Sequence, residues 1–216
     1  MSVRTIVVDD SPSMQKLIAA VLGSDPEIKV VGTAANPEEA RKMIKALDPD
    51  VITLDIEMPG MNGLDFLERL MRLRPMPVVM ISSWTRKGAD ATIAALEIGA
   101  FSCLPKPRMD DEEALQAMCE NVKAAAAAKT IIKQKHGASA ALHEAPASRS
   151  SGGVKRPGLD AIALGASTGG VEALTEVLTG FPADCPPTLV TQHMPEHFTR
   201  SFAERLDRLC KPTVNE

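Results

Sequence analysis

The chain has 216 residues, is 44% hydrophobic and carries a net charge of −4, enough apolar content for a core and room for one large domain or one and a half ordinary ones. Its 24 basic residues are spread along the sequence, which leaves no electrostatic footprint for nucleic acid. Apolar runs are interrupted too soon to span a membrane, and the opening MSVRTIVV enters a strand without a cleavable signal, so a cytoplasmic protein without membrane insertion is expected.

The first predicted strand, Thr5 to Val8, ends in Asp9 and Asp10. A helix follows with Met14, Leu17, Ile18 and Val21 on one stripe. The next helix carries Ala40, Met43, Ile44 and Leu47 and opens on Asn36, Pro37 and Glu39, an N-cap, a first-turn proline and an acid at the third position. Val51, Ile52, Thr53 and Leu54 suit a strand buried on both faces of a parallel sheet. Asp55 stands at its end, and Pro59, Gly60, Asn62 and Gly63 turn the chain into a helix beginning near Leu64.

Strand Val78 to Ile81 ends in Ser82 and Ser83, and strand Phe101 to Leu104 ends in Pro105, Lys106 and Pro107. The helix between them is expected to bury Ala91, Ala94, Ala95 and Ile98. A fifth helix, from Glu112 to about Lys129, repeats the stripe with Leu115, Met118, Cys119 and Val122. Alternation of strand and helix five times predicts an α/β domain with a doubly wound five-stranded parallel sheet. In such sheets the chemistry sits at the carboxyl ends of the strands. Three carboxylates converging there would repel one another without a hard divalent cation among them, and Mg²⁺ prefers such an oxygen site. Lys106 and the Ser82 hydroxyl supply the positive charge and hydrogen-bond donor that a phosphoryl group needs.

That order of residues resembles the receiver domain of bacterial response regulators over roughly residues 1–125. The resemblance implies that Asp55 is the phospho-acceptor and that Asp9, Asp10, Asp55 and the backbone carbonyl of Glu57 hold Mg²⁺. It further implies that Ser82 and Lys106 bind the phosphoryl group. Receivers usually carry an aromatic switch residue three positions before the lysine; here that position is Cys103.

A receiver over 1–130 is followed by a segment rich in Ala, Ser, Gly and Pro, read as a linker over 131–158. Its His136 and His143 have no ligand company and are read as solvated. A second α/β unit is expected over 159–216. It begins with strand Ala161 to Leu164, a glycine turn from Gly165 to Gly170, and a helix marked by Val171, Leu174, Val177 and Leu178. Strand Thr188 to Thr191 then ends in Gln192, His193, Met194 and Pro195, before a helix from about Phe198 to Leu209. Residues 211–216 lead toward a third strand. The four cysteines, Cys103, Cys119, Cys185 and Cys210, lack metal spacing and are read as buried free thiols.

Gly165-Ala166-Ser167-Thr168-Gly169 fits G-x-S-x-G, which sets a serine on a sharp strand-to-helix turn with an oxyanion site behind it. A glycine turn before a helix could equally cradle a phosphate or simply connect two elements. His193 at the neighbouring strand end raises the catalytic reading, with Ser167 as nucleophile, His193 as general base and Thr168 at the oxyanion site.

With a receiver, a linker, GASTGG and QHMP, the chain resembles the chemotaxis protein-glutamate methylesterase family. The resemblance implies hydrolysis of γ-glutamyl methyl esters, and deamidation of glutamines, on methyl-accepting chemoreceptors, switched on when the chemotaxis histidine kinase phosphorylates the receiver. Ser167 and His193 match two members of the family's triad. The third, an Asp in a later glycine-rich stretch, has no counterpart after His193, where Asp207 lies in a predicted helix. The expectation is therefore of a methylesterase regulator cut off early, inactive as an esterase in these 216 residues. The alternative is a phospho-accepting receiver that binds the kinase without catalysis.

Overall fold

The computed structural model describes residues 2–82, 86–129, 161–167, 169–192, 194 and 196–216. The chain divides into two compact units, Met1–His136 and Gly137–Glu216.

In the first unit the described elements are β1 (Val3–Val8), α1 (Pro12–Ser24), β2 (Ile28–Ala34), α2 (Pro37–Leu47), β3 (Val51–Asp55), α3 (Gly63–Leu73), β4 (Val78–Ser82), α4 (Arg86–Ile98), β5 (Ser102–Pro105) and α5 (Glu112–Ala127). The five strands form one sheet in the order β2-β1-β3-β4-β5, all parallel. This is the flavodoxin-like order, with its switch point between β1 and β3. Strand β3 lies at the centre, and all five of its residues are buried, as its unbroken β-branched and apolar run requires.

Alternation along the strands sends side chains to two cores. Ile6, Val8, Ile52, Leu54 and Met80 meet Ile44 of α2 and Phe66, Leu67 and Leu70 of α3 on one face. Val7, Val51, Val79 and Ile81 meet Ile18 and Leu22 of α1 and Met118, Val122 and Ala125 of α5 on the other. Each fully buried Val, Leu or Ile side chain is worth about 1.5–3 kcal/mol.

Local capping starts several of the helices directly after strands. The Asn36 side chain accepts from Glu39 N at 2.9 Å while the Glu39 carboxylate accepts from Ala35 N at 2.9 Å, a reciprocal cap. Asn62 accepts from Asp65 N at 2.9 Å and Asp111 from Ala114 N at 3.0 Å. At the opposite, amino-terminal edge of the sheet Asp50 gathers three elements. Its carboxylate accepts from Arg4 N at 3.0 Å and from Lys129 Nζ at 2.7 Å, and Lys129 also donates to Pro49 O at 3.3 Å. The Arg4 guanidinium caps the end of α2 through Leu47 O at 2.6 Å.

The expected stripe of α4 is displaced. The residues most deeply buried there are Thr92, Ile93 and Ala95, whereas Ala91, Ala94 and Ile98 are half-buried. Thr92 faces inward because it has a partner: the Cys103 thiol donates to its Oγ1 at 3.3 Å.

In the second unit β6 (Ile162–Ala166), α6 (Gly170–Thr179), β7 (Thr188–Gln192) and α7 (Glu196–Leu209) follow in order. The two strands are parallel, with Ile162 opposite Thr188 and Ala166 opposite Gln192. Val171, Leu174 and Leu178 of α6 and Phe198, Phe202 and Leu206 of α7 are buried. Val177, expected on the buried stripe, is 48% exposed. Leu189 and Val190 of β7 are also exposed. Gly165 and Ala166, expected in the turn, belong to β6, so the glycine turn is shorter than the sequence pattern indicates. Residues 211–216 contain no strand; the Val214 N–H is taken instead by the Asp207 carboxylate at 2.8 Å. All four cysteines are free, but only Cys119 is fully buried, the other three being half-buried.

Candidate functional site

Because β1 and β3 are neighbours, with Val8 opposite Leu54, Asp9 just beyond β1 and Asp55 at the end of β3 emerge side by side. Both are completely shielded from solvent, and Asp10 is exposed at the rim. One carboxylate oxygen from each of the three lies within 4.8 Å of the others. Backbone amides orient two of them: Ser11 N donates to Asp9 Oδ1 at 2.8 Å and Glu57 N to Asp55 Oδ1 at 3.2 Å. The Gln15 amide holds the Asp9 carbonyl at 2.6 Å.

Lys106 reaches this cluster from the end of β5. Its ammonium stands 2.8 Å from Asp55 Oδ2 and 3.8 Å from Asp9 Oδ2, and its backbone N–H donates to Ser82 O at 2.9 Å. Ser82, the last residue of β4, is almost fully buried. Glu57 is exposed in the loop beyond β3.

The electrostatics follow from burial against one cation. Desolvation pushes the Asp9 carboxyl up, opposed by the Ser11 amide and reinforced by the Asp55 charge. Desolvation likewise raises Asp55, although the Lys106 hydrogen bond and charge act against it. Burial pulls Lys106 down, but the Asp55 carboxylate overrides it and the net shift is upward. Among the described residues, three carboxylates face one ammonium. Asp9 Oδ2 is buried with no hydrogen-bond partner among the described residues, an orphaned acceptor of the kind a hard cation satisfies. The donor set is all oxygen, so the residues fit a divalent cation of the Mg²⁺ class.

Gly63 closes the loop over Asp55. Its N–H donates to Ile56 O at 2.9 Å, and a Cβ at this position would lie 2.0 Å from the Asp55 carbonyl oxygen. Any side chain would push the strand end away. Cys103 occupies the half-buried position three before Lys106, and burial pushes its thiol up to about 11 against the Thr92 hydrogen bond.

In the second unit Ser167 stands exposed between β6 and α6. Its carbonyl accepts from Gly170 N at 2.8 Å and from Gln192 Nε2 at 2.8 Å. Gly169 supplies the turn, with φ of 73°, a conformation that favours glycine. The register places Ala166 beside Gln192, so the carboxyl ends of β6 and β7 lie side by side. Thr168 and His193 lie outside the described residues, as do Ser83 and the segment 131–158. Asp207 sits in α7 and is engaged by Val214. Gln192 is the contact that the motif reading missed; its only sequence signal is its position at a strand end before His193.

Residues 5–120 match the family model of the response regulator receiver domain, and residues 162–216 match that of CheB methylesterase. A protein-glutamate methylesterase/protein-glutamine glutaminase of Agrobacterium fabrum is 56% identical over 213 residues, 99% of this chain and 60% of that protein. One from Caulobacter vibrioides is 54% identical over 216 residues, 99% of this chain and 61% of that protein. Among solved structures, the response regulator domain of Thermotoga maritima CheB is similar, with 37% identity and a TM-score of 0.54 over 59% of this chain and 98% of its own. The chain thus spans about 60% of the length of the curated relatives it matches. No helix among the described residues is long and apolar enough to cross a membrane.

Proposed function

As the chain belongs to the response regulator receiver family, and to its branch that joins a receiver to a CheB methylesterase region, we propose that it is a chemotaxis regulator in which phosphorylation of Asp55 controls a protein-glutamate methylesterase and glutaminase. In this reading residues 1–130 are the receiver, 131–158 the linker and 159–216 the methylesterase part.

The phospho-donor is a phosphohistidine on the chemotaxis histidine kinase. An Asp55 carboxylate oxygen attacks the phosphorus, the P–N bond breaks, and the imidazole leaves as an acyl phosphate forms. The Lys106 ammonium and the Ser82 hydroxyl then take the phosphoryl oxygens. Asp9, Asp10, Asp55 and the Glu57 carbonyl would hold Mg²⁺, which neutralises charge on the incoming dianion. The observation that carries the reading is the meeting of three carboxylate oxygens within 4.8 Å with Lys106 at 2.8 Å.

The substrates are the methyl-accepting chemoreceptors. Ser167 Oγ attacks the γ-carbonyl of a glutamyl methyl ester while His193 removes its proton, and the oxyanion is received at the Thr168 amide. Methanol leaves with that proton, and water hydrolyses the acyl-serine; for a glutamine the leaving group is ammonia.

Acetyl phosphate with Mg²⁺ tests the first half: wild-type protein should take up one alkali- and hydroxylamine-labile phosphoryl group and Asp55→Asn none. Equal uptake by Asp55→Asn would refute the assignment. For the second half, methanol release from methylated receptor by the intact protein should vanish in Ser167→Ala.

A further inference from the structure

We infer that Gln192 is a positioning residue for the nucleophile turn, acting by fixing the peptide group that follows Ser167. The inference rests on the reading of Ser167 as the esterase nucleophile. Gln192 closes β7 directly beside Ala166, the last residue of β6. From there its amide reaches across the sheet edge and donates Nε2 to the Ser167 carbonyl at 2.8 Å. Only the NH₂ end can serve a carbonyl acceptor, so the amide orientation is settled.

The other end of the amide packs against the start of α6. A Cβ on Gly170 would lie 2.0 Å from Gln192 Oε1, 2.9 Å from its Cδ and 2.7 Å from the Ala166 Cβ. Gly170 is thus the only residue that leaves the amide its seat. The Gly170 N–H donates to the same Ser167 carbonyl at 2.8 Å, so two donors from two elements converge on one oxygen.

A peptide group is planar, and its N–H points opposite to its C=O. Clamping the Ser167 carbonyl from two elements therefore fixes the plane of the peptide group that follows the nucleophile. A donor held before reaction requires no reorganisation as charge develops. The Gln192 amide thus restrains the exposed Ser167 turn from the adjacent strand.

The experiment measures kcat and KM for methanol release from methylated receptor by the intact protein, with thermal melting as a check on folding. Gln192→Leu should lower kcat roughly tenfold, the weight of one hydrogen bond lost at the transition state, with KM within about twofold. Gly170→Ala should do the same by evicting the amide. Gln192→Glu supplies a readout that a merely structural role would not move. Its carboxyl can donate to the Ser167 carbonyl when protonated and repels it when ionised, so its kcat relative to wild type should rise roughly 2.5-fold between about pH 8 and about pH 5. If Gln192→Leu keeps kcat within about twofold, or if the Gln192→Glu ratio is flat with pH, the inference is overturned, while loss of turnover in Ser167→Ala keeps the underlying reading intact. Turnover surviving in Ser167→Ala would overturn both.

Discussion

Gly63→Ala is the substitution that most directly tests the loop over the acidic site. Cβ atoms essentially never approach another heavy atom within 3.0 Å, yet here the added methyl would stand 2.0 Å from the Asp55 carbonyl oxygen and 2.9 Å from Ile56 Cα. Both obstacles are backbone, so no side chain can swing aside. Relief requires the turn to open by about 1 Å, which breaks the Gly63 N–H bond to Ile56 O, now 2.9 Å. Overpacking of this kind costs about 1–3 kcal/mol and the lost hydrogen bond about 1 kcal/mol more, so a loss of about 2–4 kcal/mol is expected. Urea unfolding followed by circular dichroism reads this as a midpoint lower by about 1–2 M. Phosphoryl uptake should slow as well, because the displaced carbonyl is that of Asp55 itself. A midpoint within about 0.2 M of wild type would show that the approach is relieved at no cost and refute the reasoning.

Asp9→Asn should unfold at a higher urea concentration than wild type at pH 7 without Mg²⁺. Burial raises the Asp9 carboxyl above 3.8, so its ionised form costs stability at every pH above the raised value; the advantage of the variant should fade as pH falls through that value toward 3.8, and a lower midpoint at pH 7 would contradict it. Thr53→Val should be neutral or stabilising by up to about 1 kcal/mol, since the Thr53 hydroxyl is buried without a hydrogen-bond partner among the described residues; a clear destabilisation in the same assay would expose a partner. The Cys103 thiol, pushed up to about 11, should resist iodoacetamide in the folded protein at pH 7.5, with mass spectrometry finding it modified only after denaturation.

The receiver was legible in the sequence because its signals are strong and local. Val51 to Leu54 is an unbroken buried run, and Asp9, Asp55 and Lys106 follow directly on the strands that carry them. The Asn36, Pro37 and Glu39 cap was equally readable, since all its hydrogen bonds lie within four residues. What failed depended on a partner distant in sequence. Thr92 lay outside the expected apolar stripe, yet it is buried where the Cys103 thiol, eleven positions on, donates to its hydroxyl. Gly165 and Ala166 read as turn residues because small side chains carry no strand signal, yet pairing with Thr191 and Gln192 makes them strand. Val177 fits the apolar period but sits on the flank of the stripe, where α6 leaves it in solvent. Gln192 escaped for the same reason: nothing near it in sequence announces that its amide will find the Ser167 carbonyl, 25 positions away.

The cluster around Asp50 fixes where the receiver hands the chain onward. Asp50 precedes and Asp55 ends a single extended strand, so roughly 16 Å of backbone separates the Lys129 anchor from the Asp55 carboxylate. The residues just beyond α5 are thereby moored at one pole of the first unit, with the carboxylate cluster at the other. Cutting the mooring with Lys129→Ala would loosen this end of the first unit while leaving the carboxylate cluster at the other pole chemically unchanged.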